Sequence, residues 1–290
     1  MHPAPSVIIF TTLSGLGFGL LAFLGLDIPS VRGTTALAFF VLAYAMAVGG
    51  LIASTFHLGN RKNAIYAFSQ WRTSWLSREG IAAVATLLIF APVALGKILL
   101  GAQMPVMGGV GSVLAMITVF TTSMIYAQLR TIPRWHQPWV PAMFLLHAIA
   151  GGALLSGSSM LAGLLLLVLT GVMYMMWTRG DACEAENADT METATGLGEI
   201  GTVRMYESAH TARNYVMDEM VHRVGRKHAE KLRMMALVLI GALPAVMLIA
   251  LPAGHLVSAA SLVLHLVGIV IGRWLFFAEA RHVVGLYYGK

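Results

Sequence analysis

The chain has 290 residues, of which 58% are hydrophobic before its 30 glycines are counted and only 11% are charged. A soluble domain carries about a quarter charged residues, so there is too little polar surface here to cover a water-soluble globule, and the mean hydropathy of +0.76 agrees. Composition excludes a soluble enzyme, a disordered chain and a nucleic-acid-binding domain; the net charge of +6 reads as basic residues gathered on one side of a membrane, with no nucleic-acid partner.

Crossing about 30 Å of hydrocarbon takes roughly 20 apolar residues as helix. Runs that meet this are 7–26, 34–56, 80–100, 106–128, 139–156, 159–177, 234–251 and 256–277. The first follows Met1-His2-Pro3-Ala4-Pro5, with no basic leader and no small-residue cleavage site after it, and is read as a retained span. Each run must satisfy its own backbone polar groups, and none alternates as a barrel strand would. The expected fold is all-α integral membrane, with eight transmembrane helices in a single polytopic domain over 1–290.

An even number of spans puts both termini on one face. That face collects 17 of the 19 lysines and arginines, with Arg273 counted in the C-terminal tail, and leaves Arg32 and Lys97 on the other. The asymmetry places both termini in the cytoplasm of a multi-pass protein of the bacterial inner (cytoplasmic) membrane. The opposite-face connections 27–33, 101–105, 157–158 and 252–255 are short, so the docking surface lies inside. The 178–233 segment is a cytoplasmic loop between the sixth and seventh spans, acidic first (Asp181, Glu184, Glu186, Asp189, Glu192) and basic later. Val216, Met220 and Val224 recur every four residues and predict an amphipathic helix over 211–230. It reads as either a solvated linker or a docking element for a soluble partner.

Two glycine clusters, Gly15-Leu16-Gly17-Phe18-Gly19 and Gly108-Gly109-Val110-Gly111, lie in or beside spans with no strand before them. They read as close helix packing, not phosphate loops. The single cysteine, Cys183, excludes an internal disulfide and a cysteine-held iron–sulfur cluster. His147 and His265 fall mid-span; such a pair either holds a haem iron or makes hydrogen bonds between helices. No nucleophilic set lies on one face, so no substrate chemistry is centred in this chain.

The richest stretch runs from His57-Leu58-Gly59-Asn60-Arg61-Lys62 to Ser74-Trp75-Leu76-Ser77-Arg78-Glu79-Gly80. His57 ends one span, Glu79 opens the next, and the loop returns both to one interface. Ala64, Phe68, Trp71 and Trp75 at helical spacing predict a short helix on the membrane with its tryptophans at headgroup depth. A donor, a carboxylate and aromatic walls at a lipid-accessible rim suit a quinone, whose reduction takes up protons from nearby titratable groups. The competing reading is structural: an Arg78–Glu79 ion pair at a helix end and His57 as a helix cap.

At His57-Leu58-Gly59 and Ser74-Trp75-Leu76-Ser77-Arg78-Glu79-Gly80 the sequence resembles the membrane anchor subunits of dimethyl sulfoxide reductase-type molybdoenzymes, and the likeness covers nearly the whole chain. Met1-His2-Pro3-Ala4-Pro5-Ser6-Val7, Thr131-Ile132-Pro133-Arg134-Trp135, Thr195-Gly196-Leu197-Gly198, Arg226-Lys227-His228-Ala229 and Phe276-Phe277-Ala278-Glu279-Ala280-Arg281-His282-Val283-Val284 are most similar to its sulfite-oxidising branch, the anchors of cytoplasmic sulfite dehydrogenase (quinone) complexes. The resemblance implies a three-subunit complex. A molybdopterin catalytic subunit turns over the substrate, an iron–sulfur electron-transfer subunit passes electrons on, and the anchor exchanges them with quinone in the lipid. It implies quinol-site roles for His57 and Glu79. Arg78, Trp75, Ser77 and Arg72 join them by proximity in the sequence. The expected cofactor is a quinone, ubiquinone or menaquinone, with molybdopterin and Fe–S clusters only in the partner subunits and no metal ligands in this chain.

The alternatives are a quinol-oxidising anchor of a dimethyl sulfoxide reductase-type complex, a secondary transporter, and a tether with no quinone site. Pro92 and Pro244 interrupt spans, but without the matched repeat a transporter would show.

Overall fold

The computed structural model describes residues 1–56, 65–66, 68–187, 189–207, 216, 220, 228–252 and 254–288. These form helices and turns, with no strand among the described residues. In chain order they are α1 (Pro5–Gly25), α2 (Gly33–Thr55), α3 (Trp75–Leu95, continued by a π-turn over Gly96–Leu100), α4 (Pro105–Ala127), α5 (Trp139–Leu155), α6 (Ser159–Ala185), the short α7 (Met191–Thr195), α8 (Ala229–Leu237), α9 (Leu243–Ala250) and α10 (His255–Ala278). A π-turn over Val238–Ala242 joins α8 to α9 as one rod, and a 3-10 turn over Val283–Tyr288 ends the described chain. Seven of these rods are long and apolar enough to cross a membrane.

The remaining apolar rod, α5, has 17 residues, about 25 Å of helix. No residue of it is exposed, because α1, α4 and α6 surround it. A helix enclosed by protein does not have to match the hydrocarbon thickness with its own length. The centre of the bundle is α1. Of its most apolar stretch 78% is buried, against 28% for α2 and for α10, whose outer sides are left for lipid.

Lipid gives helices no hydrophobic reason to associate, so close approach through small residues holds them together. Gly17 lies against the backbone of Ala43 and Ala47 in α2, and Gly19 against the backbone of Ala148 in α5. Gly152 in α5 returns the contact to Gly19, Gly25 meets Gly108 in α4, and Gly111 lies under the Phe90 ring. Gly15 and Gly109 face open space. The packing reading of the two glycine clusters therefore holds for four of their members and fails for two.

Prolines shape two rods from within. Pro5 and Pro105 sit in first turns, where a missing N–H costs nothing. Pro92 lies inside α3 ahead of its π-turn, and Pro244 follows the π-turn of the α8–α9 rod. Residue 244 cannot donate to the carbonyl four residues earlier, that of Ile240. His265 Nδ1 of α10 takes this carbonyl at 2.5 Å, so a proline in one rod creates the acceptor that fixes a histidine in the next.

The faces of the bundle are tied by charge. At the end of the α1–α2 hairpin, the Nζ of Lys97 donates to Leu24 O at 2.9 Å and to Asp27 Oδ1 at 2.6 Å, while Gln103 donates to Asp27 Oδ2 at 2.7 Å. Burial pushes the Asp27 carboxyl up, but hydrogen bonds from Lys97 and Ser30 and the charges of Lys97 and Arg32 outweigh it, and the net shift is downward. A depressed carboxyl stabilises the fold above its unfolded pKa, near 3.8, and loses that contribution as pH falls through its lower folded value. Asp27→Asn strands Lys97, which is 3% exposed. The variant is expected to lose about 3 kcal/mol at neutral pH, read as a lower thermal midpoint in detergent, with the gap to wild type closing as the buffer is acidified below pH 4.

At the opposite face, Arg134 bonds Asp181 (2.6 Å) and Glu184 (2.7 Å), Arg233 bonds Asp181 (2.7 Å) and Glu279 (2.6 Å), and Arg281 reaches Glu184 at 2.8 Å. These pairs keep the polar ends of α6 and α8 helical beyond the apolar runs: α6 continues to Ala185 and α8 begins at Ala229. The connection read from hydropathy as 178–233 is correspondingly shorter. Its expected amphipathic helix over 211–230 lies mostly outside the described residues. On the same face the Met1 ammonium donates to Ala280 O (2.5 Å) and Trp135 Nε1 to Phe276 O (2.9 Å). Arg273, read from the sequence as part of a C-terminal tail, lies inside α10 and is 3% exposed; the charge count gave it to solvent because hydropathy alone does not register a single buried cation.

Candidate functional site

Glu79 stands in the first turns of α3, the helix that Ser74 caps by accepting from Ser77 N at 3.5 Å. The turn at Gly101–Met104 folds α3 against α4, which brings residue 79 level with the last turns of α4. There Thr122 Oγ1 donates to Glu79 Oε1 at 2.6 Å and also to the Thr118 carbonyl at 3.0 Å. Glu79 is 4% exposed, and Thr122 is the hydrogen-bond partner it has among the described residues. One oxygen of a buried carboxyl is held, and the other remains for a ligand or a proton. Sequence reasoning missed Thr122; the signal was a hydroxyl one hairpin turn away at equal depth.

Arg78 does not pair with Glu79. Its guanidinium turns outward and donates to the carbonyls of Trp71 (2.9 Å) and Arg72 (2.7 Å), with Cζ 4.3 Å above the Trp75 ring. Trp75 in turn meets Phe120 of α4 edge-on at 6.0 Å. Arg72 is exposed and lies over the Trp71 ring at 5.4 Å. The helix-end ion pair is thus replaced by an arginine that closes the preceding turn. Trp75, Arg78 and Arg72 form one aromatic and basic layer at the rim, directly before the buried acid.

Ser77 is buried (1% exposed), with no hydrogen-bond partner for its Oγ among the described residues. Two positions from Glu79 on a helix, it points to a different side. The structure does not bring it into the same cluster. His57 and Ala64 lie outside the described residues. The described part of the expected interfacial helix forms 3-10 and turn structure instead, with Tyr66 and Trp71 exposed and the Phe68 ring against Gly80. Aromatic spacing alone did not distinguish a helix from a chain of tight turns.

Deeper in the bundle, Tyr126, one turn beyond Thr122, stacks on Phe144 (5.7 Å) within a box completed by Trp135, Phe276 and Phe277. Arg273 lies over the Phe144 ring of this box, 3.8 Å from its centroid. The His147 and His265 rings are 6.2 Å apart. His265 makes the interhelical bond to Ile240, the structural alternative for that residue. Gly151, one turn from His147, lies between Leu16 and His265. No group of three or more metal-ligating side chains forms among the described residues.

If the Thr122 bond aligns the Glu79 carboxyl, Thr122→Val removes a hydrogen bond to a chargeable group, worth about 1.5 kcal/mol. The expected result is a roughly tenfold loss in any proton-coupled reaction that Glu79 serves, together with a modestly lower thermal midpoint, because the same buried bond ties α3 to α4.

The arrangement is thus a buried acid at the start of α3, next to a rim of tryptophan and arginine. The family described as the DMSO reductase anchor subunit (DmsC) matches residues 1–289. The sulfite dehydrogenase C-chain of Allochromatium vinosum is 31% identical over 325 aligned positions, with 99% of each chain covered. No solved structure matches the chain. With apolar helices throughout and a match from end to end, the chain is a member of the DMSO reductase anchor subunit family, a membrane anchor of molybdoenzymes.

Proposed function

We propose that this chain is the membrane anchor and quinone-binding subunit of a three-subunit molybdopterin and iron–sulfur oxidoreductase, and that it passes electrons from cytoplasmic sulfite oxidation to the quinone pool. The observation that carries the reading is Glu79: a carboxyl 4% exposed, one turn from an aromatic rim, held among the described residues by a hydrogen bond from Thr122. In this reading α5 counts as an eighth span, and both termini lie in the cytoplasm of the bacterial inner membrane. Sulfite as the partner's substrate is supported by the likeness to the Allochromatium vinosum sulfite dehydrogenase chain and by the lysine and arginine excess on the face that carries the rim.

The quinone supplies two-electron chemistry that consumes protons. Glu79 holds and delivers a proton at its free oxygen, Thr122 orients its carboxyl, and His57 is the second titratable group from the matching motif. Trp75 walls the rim, Arg78 and Arg72 give it positive charge, and Ser77 is a buried hydroxyl donor on the same helix. The chain turns over no substrate; the molybdopterin subunit does that, and the iron–sulfur subunit docks on the rim's face.

The test is a mild-detergent purification of the tagged chain, with molybdenum and iron quantified in the eluate. Sulfite-to-quinone turnover is compared with sulfite-to-dye turnover in wild type and Glu79→Gln. Stoichiometric metals with quinone turnover lost only in the variant support the reading; a chain that purifies without either metal sinks it.

A further inference from the structure

The polar groups of α10 that the rim does not use fall on one side of the helix. His255, Ser258, Ser261, His265 and Arg273 lie within an arc of about 120° at 3.6 residues per turn. Their burial is graded. His255 at the start of the helix is exposed and Ser258 is half-buried, whereas Ser261 and His265 are fully buried and Arg273 is 3% exposed. The column begins at the face opposite Glu79 and ends beside the aromatic box under it.

Its buried members are left with unused valences. Ser261 Oγ, His265 Nε2, Arg273 Nε and, from α5, His147 Nδ1 have no hydrogen-bond partner among the described residues. An orphaned polar atom in a protein interior is destabilising, and ordered water relieves such sites where several polar groups converge. The Ile240 carbonyl accepts from His265 Nδ1, which leaves Nε2 with a lone pair, beside Gly151 of α5, and the His265 and His147 ring centroids are 6.2 Å apart. At the inner end Arg273 covers Phe144, Phe144 stacks on Tyr126, and Tyr126 is one turn from the Thr122 that holds Glu79.

We propose that α10, together with His147, forms a water-assisted proton path from the face bearing His255 to Glu79, so that the protons consumed at the rim are drawn from the far side of the membrane. This rests on the quinone reading above. Sulfite oxidation by the partner subunit, SO3²⁻ + H2O → SO4²⁻ + 2 H⁺ + 2 e⁻, releases its protons on the docking face. Quinone + 2 e⁻ + 2 H⁺ → quinol then takes protons that arrive by way of His265 and Glu79. The fixed charge of Arg273 opposes a proton entering the inner end until electrons reach the rim, which keeps the path from leaking at rest.

The experiment places the purified complex in liposomes containing ubiquinone, with a pH-sensitive dye trapped inside and sulfite, which does not cross the bilayer, added outside. Only complexes with the docking face outward then turn over, and sulfite consumption and interior pH are followed together. Wild type is expected to alkalinise the interior in step with sulfite oxidation. His265→Asn, whose amide nitrogen keeps the bond to Ile240, is expected to lower interior proton uptake about 100-fold. Ser261→Ala, which does not touch that bond, is expected to lower it in the same direction. In both variants sulfite-to-dye turnover stays at the wild-type rate. Turnover with an unchanged interior pH in wild type, or undiminished interior uptake in both variants, overturns the path and leaves the quinone reading standing. Sulfite-to-dye turnover without quinone turnover in wild type overturns both.

Discussion

Glu79→Gln is expected to abolish quinone-coupled turnover while leaving dye-coupled turnover intact. The substitution keeps the shape of the side chain and an oxygen that can accept from Thr122 Oγ1, which lies 2.6 Å from the carboxyl. It removes only the capacity to take up and release a proton. A positioned acid or base contributes about 10²- to 10⁴-fold, so quinone reduction should fall by at least the lower figure. Because the side chain is 4% exposed, bulk buffer cannot replace it. Glu79→Asp, with the acid kept but withdrawn by one methylene, should recover part of the rate. The measurement is paired turnover of one preparation with a quinone and with an artificial dye. Equal losses with both acceptors would point to damaged assembly, and no loss with either would leave a plain tether.

The second large effect is on assembly of the bundle. Gly19→Ala places a methyl group on the backbone of Ala148, and neither backbone can yield without separating α1 from α5. Since α1 is the most enclosed of the seven long rods and no residue of α5 is exposed, the strain cannot be relieved toward lipid. The expected loss is about 3 kcal/mol, the upper range for overpacking a close-packed interior, seen as a lower thermal midpoint and poor recovery from the membrane. Gly15→Ala, four residues earlier with open space around it, should be neutral or stabilising by up to about 1 kcal/mol through helix propensity. The same substitution at two glycines of one motif thus separates a packing contact from a bystander. Matched behaviour of the two variants would show that Gly19 does not set the α1–α5 distance.

Much of the architecture is legible in the chain itself. The apolar runs, their order, and the prolines at the starts of α1 and α4 are local properties, and helices lie where hydropathy puts them. The boundaries failed where charges pair across the bundle. α6 runs past its apolar segment because Asp181 and Glu184 meet Arg134 and Arg233, partners remote in sequence. The rim was legible as a motif, since Trp75, Arg78 and Glu79 are neighbours along one helix. Which of them act together was not: Arg78 turns back to Trp71 and Arg72, Ser77 faces elsewhere, and the partner of Glu79 is Thr122 on the next helix.

What the sequence by itself determined is therefore the solvent. A chain with 11% charged residues must lie in lipid, and lipid forces each segment into a helix that satisfies its own backbone. What only the tertiary structure decided is which face of each helix meets which neighbour. A rod that is apolar all round carries no periodicity to say which side turns inward. The choice then rests on the fit of small residues, on a carbonyl released by Pro244 to His265, and on a lone arginine, Arg273, buried among aromatic rings. These are contacts between residues tens of positions apart, and they exist only once the helices have packed.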